Sequence, residues 1–234
     1  MGTLLSMLLA SAKFAKFGKV LLSALTIVIS IAAYASLYGW PYAAGFVGLI
    51  FCHEMGHYIA ARQKNLNVGL PTFIPFVGAW IALKEQPMDA ETEAYVAYAG
   101  PLAGTLSAFA VYFWGRHVDN HLYLALAQAG FMINLFNLIP LHPLDGGRIV
   151  SIISPRLWFL GVPLLVGMWL YNASCMLIVI AIIAWPQLIK AWHYDPKAPE
   201  NMAYYNVKNA TRFEYAVMYL GLIIVLAAMI ESLK

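Results

Sequence analysis

A chain of 234 residues that is 62% hydrophobic and only 11% charged, with a mean hydropathy of +0.72, is not built to face water. Soluble domains carry about 25% charged residues. A net charge of +3 is too small to imply a nucleic-acid partner, and the two cysteines, Cys52 and Cys175, lie in apolar runs and make no disulfide framework.

The expected fold is therefore an all-α polytopic membrane protein of six or seven transmembrane helices. Residues 1–19 are apolar with Lys13, Lys16 and Lys19 at intervals, which suits an interfacial helix on an anionic leaflet. Residues 20–234 read as a single transmembrane domain. Val20 to Leu37 is the first predicted span. Its basic flank and Ala33-Tyr34-Ala35 also fit a cleavable signal peptide, although the neighbouring spans give it a bundle to join. After Gly39-Trp40-Pro41, a second span covers Tyr42 to Ala61 and stops at Arg62 and Lys64.

Residues 67–84 change character, being rich in β-branched and aromatic side chains and broken by Pro71, Pro75 and Gly78. Those breakers exclude a regular spanning helix and predict a short β-hairpin or re-entrant segment between the second and third spans. A hairpin at the membrane surface and one sheltered at membrane depth are both compatible with the composition. Lys84 to Glu93 is polar and lies outside the hydrocarbon. Ala94 to Trp114 and His121 to Ile139 are the third and fourth spans. The apolar run from Gly146 to Trp192 is too long for one helix, since about 20 residues suffice to cross. A turn at Tyr171-Asn172 divides it into spans near 149–170, kinked by Pro155 and Pro163, and 173–191. His193 to Arg212 is polar, and Phe213 to Ile230 is the last span.

With seven spans, Lys13, Lys16, Lys19, Arg62, Lys64, Lys84, Arg148, Arg156, Lys190, Lys197, Lys208 and Arg212 fall on one side. Only Arg116 and Lys234 fall on the other. Basic residues concentrate in cytoplasmic loops, so the N-terminus is expected inside.

His53-Glu54-Met55-Gly56-His57 is an H-E-x-x-H pattern on the inner part of the second span. Residues four apart on a helix share a face, so both imidazoles can bind one metal ion, with Glu54 beside them as general base. Three ionisable residues within five positions of a span are costly, about 3 kcal/mol for a charge at its centre, and need a strong common partner. A zinc ion would be one. A catalytic zinc takes a third protein ligand. Asp145 suits best, because it follows the fourth span where Pro140, Pro143, Gly146 and Gly147 break the helix beside the bilayer. His142, Glu85 and Asp89 are the alternatives: His142 reads as a loop histidine, and Glu85 and Asp89 as solvated residues of a loop containing Pro87.

His53-Glu-Met-Gly-His57, together with Asn137-x-x-Pro140-x-x-x-x-Asp145-Gly146, resembles the site-2 protease family of intramembrane zinc metalloproteases. Gly100-Pro101-Leu102-Ala103-Gly104 also resembles a small-residue motif of that family. The likeness covers about residues 40–150, the extent of the family's catalytic core. It implies one zinc per chain held by His53, His57 and Asp145, with Glu54 activating water and Asn137 meeting the substrate backbone or the developing oxyanion. It further implies that Phe76 and Gly78 of the hairpin, with Gly100 and Gly104, contact the substrate. The expected substrate is a membrane protein cleaved in or near a transmembrane helix. The expected setting is the lipid bilayer of a prokaryotic plasma membrane, with the site nearer its cytoplasmic face. Many relatives carry a PDZ or CBS domain, and no stretch of this sequence is long enough for either, so a compact form is expected. Oligomeric state, substrate and regulation are not legible. A membrane zinc transporter is the other class considered. It calls for ligands along a path through several helices and a metal-collecting histidine tract, and neither is visible.

Overall fold

The computed structural model describes the backbone of residues 2–76, 78–80, 87 and 89–234, and the side chains of residues 18, 20–76, 87 and 89–234. Its elements follow from long apolar runs punctuated by a few strong breakers. Helix α1, Gly2–Tyr38, runs on without interruption past the boundary expected at residue 19. It stops at Gly39, whose φ of 82° is a conformation that glycine adopts without steric cost. Helix α2, Trp40–Gln63, starts at once with Pro41 in its first turn, where a missing amide proton costs nothing.

Two short strands follow, β1 at Thr72–Ile74 and β2 at Gly78–Trp80, paired antiparallel with Phe73 opposite Ala79. This hairpin is pinned to α1. The Ser23 hydroxyl donates to the Pro71 carbonyl at 2.6 Å, and the Phe73 amide donates to Thr26 Oγ1 at 3.2 Å. Phe73 is buried with Val47 and Ile50 of α2. Phe76, at the turn with φ 63°, is half exposed and packs edge-on against Tyr34.

Helix α3, Ala90–Val118, has a capped start: Asp89 accepts from the Thr92 amide at 2.6 Å and from the Thr92 hydroxyl at 3.0 Å. Asp119, in the left-handed region, closes its other end. Helix α4, His121–Asn137, is capped by Asn120. The span expected over 149–170 is divided. Its first residues belong to a short helix α5, Asp145–Ser151. The chain then breaks at 152–154 and resumes as a 3-10 turn, Pro155–Leu160, leading into α6, Gly161–Tyr171. Pro155 has no amide proton to continue α5, and Ser154 caps the new start through the Arg156 amide. Helices α7, Cys175–Trp192, α8, Pro199–Tyr204, and α9, Asn209–Ser232, complete the chain.

The protein is thus mostly helical. Among the described residues, four helices are long and apolar enough to cross a membrane: α1 from Val20, α3, α7 and α9. Helix α2 is long enough, at about 36 Å for a rise of 1.5 Å per residue, but His53, Glu54, His57 and Arg62 make it less apolar. Helix α4 has only 17 residues.

Helix α3 is central, flanked by α2 and α4, with α1 outside α2 and α9 lying across α4, α5 and α3. Phe131, Leu138, Leu141, Ile149, Ile152 and Leu226 are fully buried in one core shared by α4, α5, the segments that follow them and α9. Large apolar side chains such as Val28, Leu106, Ile182 and Ile224 point outward from α1, α3, α7 and α9. A soluble monomer rarely displays such continuous apolar surface, whereas lipid tolerates it.

Candidate metal centre

Helical spacing brings His53 and His57 one turn apart on the face of α2 that meets α3 and α4. Asp145 reaches them from the first residue of α5. Asp145 Oδ2 lies 3.1 Å from His53 Nε2 and 3.3 Å from His57 Nε2, and the two Nε2 atoms are 3.1 Å apart. All three residues offer their ligand atoms within 4.8 Å of one another, and among the described residues they are the one such group. His53 and Asp145 are buried, and His57 nearly so.

The opposite ring nitrogens are both engaged by oxygen. His53 Nδ1 is 2.8 Å from Asn134 Oδ1, and His57 Nδ1 is 2.8 Å from the Val96 carbonyl. Since the Val96 oxygen can only accept, the His57 Nδ1 carries the proton. The same holds for His53, because the Asn134 amide is oriented by its Nδ2, which donates to the Gly130 carbonyl at 2.7 Å. With both rings neutral and protonated at Nδ1, their Nε2 lone pairs would face the Asp145 carboxylate, an arrangement that a cation completes. The spacing suits zinc: tetrahedral bonds of about 2.0–2.1 Å put ligand atoms about 3.3 Å apart.

Close packing makes this convergence possible. A methyl on Gly100 would overlap the His57 ring, one on Gly104 would overlap the Asn134 amide, and one on Gly56 would strike the Ala99 carbonyl. Gly100 and Gly104, expected among the substrate contacts, are therefore buried behind His57 and Asn134, and their faces are taken up by those side chains. Gly146 and Gly147 press against the backbone of Leu138 to His142, seating Asp145 under the end of α4. Trp158 reinforces this seat by donating from Nε1 to the Gly147 carbonyl at 2.7 Å.

The other expected residues lie on α2, at the end of α4 and in the hairpin. Glu54 is buried on α2 beside the ligands. Asn137 is partly exposed at the last residue of α4. Phe76 lies at the hairpin turn against Tyr34 of α1, and Gly78 opens β2, which packs against α2. Of the alternative ligands, Asp89 is occupied as the α3 cap, and Glu85 lies outside the described residues. His142 sits in the turn between α4 and α5, outside the membrane-spanning helices, against Trp158. Burial, with Arg148 and Lys190 nearby, pushes its imidazole down to about 4. Asn134 is the residue that sequence reasoning missed. A polar side chain on the inward stripe of an apolar span, i−3 from Asn137, was the signal available.

Residues 41–119 match the sequence profile of peptidase family M50. Over that stretch, about a third of its length, the chain is similar to that family. The matched stretch holds His53, Glu54, His57, Gly100 and Gly104, and it ends before Asn137 and before Asn134 and Asp145, whose place beside the histidines rests on geometry. MJ0392 of Methanocaldococcus jannaschii, named a zinc metalloprotease, is 29% identical over 121 residues, 49% of this chain and 34% of that protein. Rip3 of Mycobacterium tuberculosis, whose name also carries the words zinc metalloprotease, is 29% identical over 133 residues, 52% of this chain and 34% of its own. The chloroplastic "probable zinc metalloprotease EGY1" of Arabidopsis thaliana is 37% identical over 79 residues, 30% of this chain and 14% of that protein. This chain thus spans about a third of Rip3 and of MJ0392, and less of EGY1.

Proposed function

We propose that this chain is an intramembrane zinc metalloprotease of the M50 type that hydrolyses peptide bonds in or near transmembrane helices of membrane-protein substrates. The observation that carries the reading is the convergence of His53 Nε2, His57 Nε2 and Asp145 Oδ2 from two separate elements. The family match and the names of the relatives support it.

In this reading His53, His57 and Asp145 hold one zinc ion per chain. Zinc in such a set supplies Lewis acidity, polarising a carbonyl and acidifying water. The substrate helix must unwind first, because a helical peptide bond is shielded by its own hydrogen bonds. The hairpin offers extended backbone for that purpose, with Phe76 and Gly78 at its turn. Glu54 then takes the proton of the attacking water and passes it to the departing amine nitrogen. Asn137 donates from its amide to the substrate backbone or to the oxyanion as it forms. Seven crossings with a cytoplasmic N-terminus put the ends of α2 and α4, and so the centre, toward the cytoplasmic face, where water and products can exchange.

The deciding experiment is Glu54→Gln in purified protein. Zinc should remain near one per chain while cleavage of membrane-protein substrates in liposomes falls by about 10²–10⁴. Substrates should accumulate as uncleaved complexes and can be identified from what co-purifies. Proteolysis at the wild-type rate by Glu54→Gln protein would overturn the mechanism.

A further inference from the structure

Asn134 is 2% exposed, in the middle of a helix pair, with its side chain aimed at a metal ligand 81 positions away in the chain. A buried amide is costly unless its polar atoms are matched. Here Nδ2 donates to the Gly130 carbonyl one turn back at 2.7 Å, leaving Oδ1 free to accept from His53 Nδ1 at 2.8 Å. Because the donor end is committed to a carbonyl, the amide cannot flip and present N–H to the ring. Helix α3 has room for this side chain only because residue 104 is glycine.

We propose that Asn134 is a positioning residue that fixes His53 in the tautomer whose Nε2 binds the metal, with Gly104 as the socket that holds it there. The inference rests on the zinc-site reading above. An imidazole with its proton on Nε2 cannot coordinate through that atom, and one without a partner on Nδ1 rotates about its side-chain bonds. A fixed acceptor at Nδ1 removes both losses before the ion arrives. His57 achieves the same with a backbone carbonyl, that of Val96. His53 faces α4, and there the Asn134 side chain takes the role. Partners of this kind alter metal affinity by about 10–100-fold when lost.

The test is zinc affinity, measured by chelator competition on the purified full chain in detergent, for wild type, Asn134→Leu, Asn134→Asp and Gly104→Ala. Leucine has a similar volume and cannot accept; aspartate accepts but cannot donate to Gly130. Asn134→Leu should weaken zinc binding about 10–100-fold, and Asn134→Asp should restore it to within a few-fold of wild type. Gly104→Ala, which retains the amide but displaces it, should also weaken binding. Nitrogen-15 NMR of labelled histidine should show His53 protonated at Nδ1 in zinc-free wild type and a mixture of tautomers in Asn134→Leu. If wild type binds no zinc, the zinc-site reading itself fails. If wild type binds but Asn134→Leu binds equally well, or leucine and aspartate are equally weak, Asn134 has only a packing role. Should Gly104→Ala not fold, the Asn134 pair decides alone.

Discussion

The Gly100 α-carbon is pressed against the His57 imidazole so closely that a methyl there would overlap Nε2, Cε1 and Cδ2 of the ring. Gly100 is thus a spacing element of the metal centre, and its effect should be felt at the metal before anywhere else. Gly100→Ala should lower zinc affinity at least about tenfold and cost about 1–3 kcal/mol of stability through overpacking. Gly48→Ala, on α2 with nothing within 4 Å of the new methyl, is the control and should match or exceed wild-type stability. Chelator competition and thermal unfolding measure both. Zinc binding by Gly100→Ala at wild-type strength would mean that α2 and α3 separate at little cost.

Asp145 should account for the third ligand. Asp145→Ala protein should lose its zinc on desalting, as read by elemental analysis, whereas Asp89→Ala should keep it. Asp89→Ala should instead cost about 1 kcal/mol of stability, the usual cost of a lost helix cap.

Helix α9 is tied to the end of α4 through one hydroxyl. Tyr219 donates to the Leu138 carbonyl, one of the group that a helix end leaves without an intrahelical donor. Tyr219→Phe should reduce stability by about 1–3 kcal/mol, since it strands a buried acceptor. Activity should fall as well, because Leu138 adjoins Asn137. Unchanged unfolding of Tyr219→Phe would remove this function from α9.

The hairpin is held to α1 by two hydroxyls, so loosening them should change its exposure without touching the centre. Thr26→Val removes the acceptor for the Phe73 amide, and Ser23→Ala the donor to Pro71. In the double variant, amide exchange at residues 71–76 should speed up several-fold while zinc content holds. Exchange at wild-type rates would show that Phe73 burial alone anchors the strand.

His142 predicts a pH effect on stability. Its imidazole lies well below the usual range of about 6.5, so the fold favours the neutral form. The stability it contributes is complete above pH 6.5 and is lost as pH falls toward 4, by up to about 3 kcal/mol. Unfolding temperatures of wild type and His142→Gln, compared between pH 7 and pH 4, isolate this share. The wild type should lose more than the variant over that interval, and parallel curves would dismiss it.

Much of the scaffold was legible because the signals are short-range. The breaker clusters at Gly39-Trp40-Pro41 and Tyr171-Asn172 mark helix ends that the structure has in the same places. The expected span over 149–170 differed because hydropathy averages over a window. It reports that Ile149 and Val150 are apolar, but not that they belong to a separate short helix carrying Asp145. Among the glycines, sequence gave the i, i+4 spacing of Gly100 and Gly104, but not what would occupy the gaps they leave.

What the sequence determined by itself was the pairing of His53 with His57, since a helix of 3.6 residues per turn leaves two residues four apart no choice but to share a face. The structure alone decided which side chains that face meets. Asp145, Asn134 and the Val96 carbonyl arrive from elements far along the chain, and their approach depends on how closely α2, α3 and α4 can pack. That closeness is set by missing methyl groups at Gly56, Gly100 and Gly104, a steric fact between helices that no local pattern records.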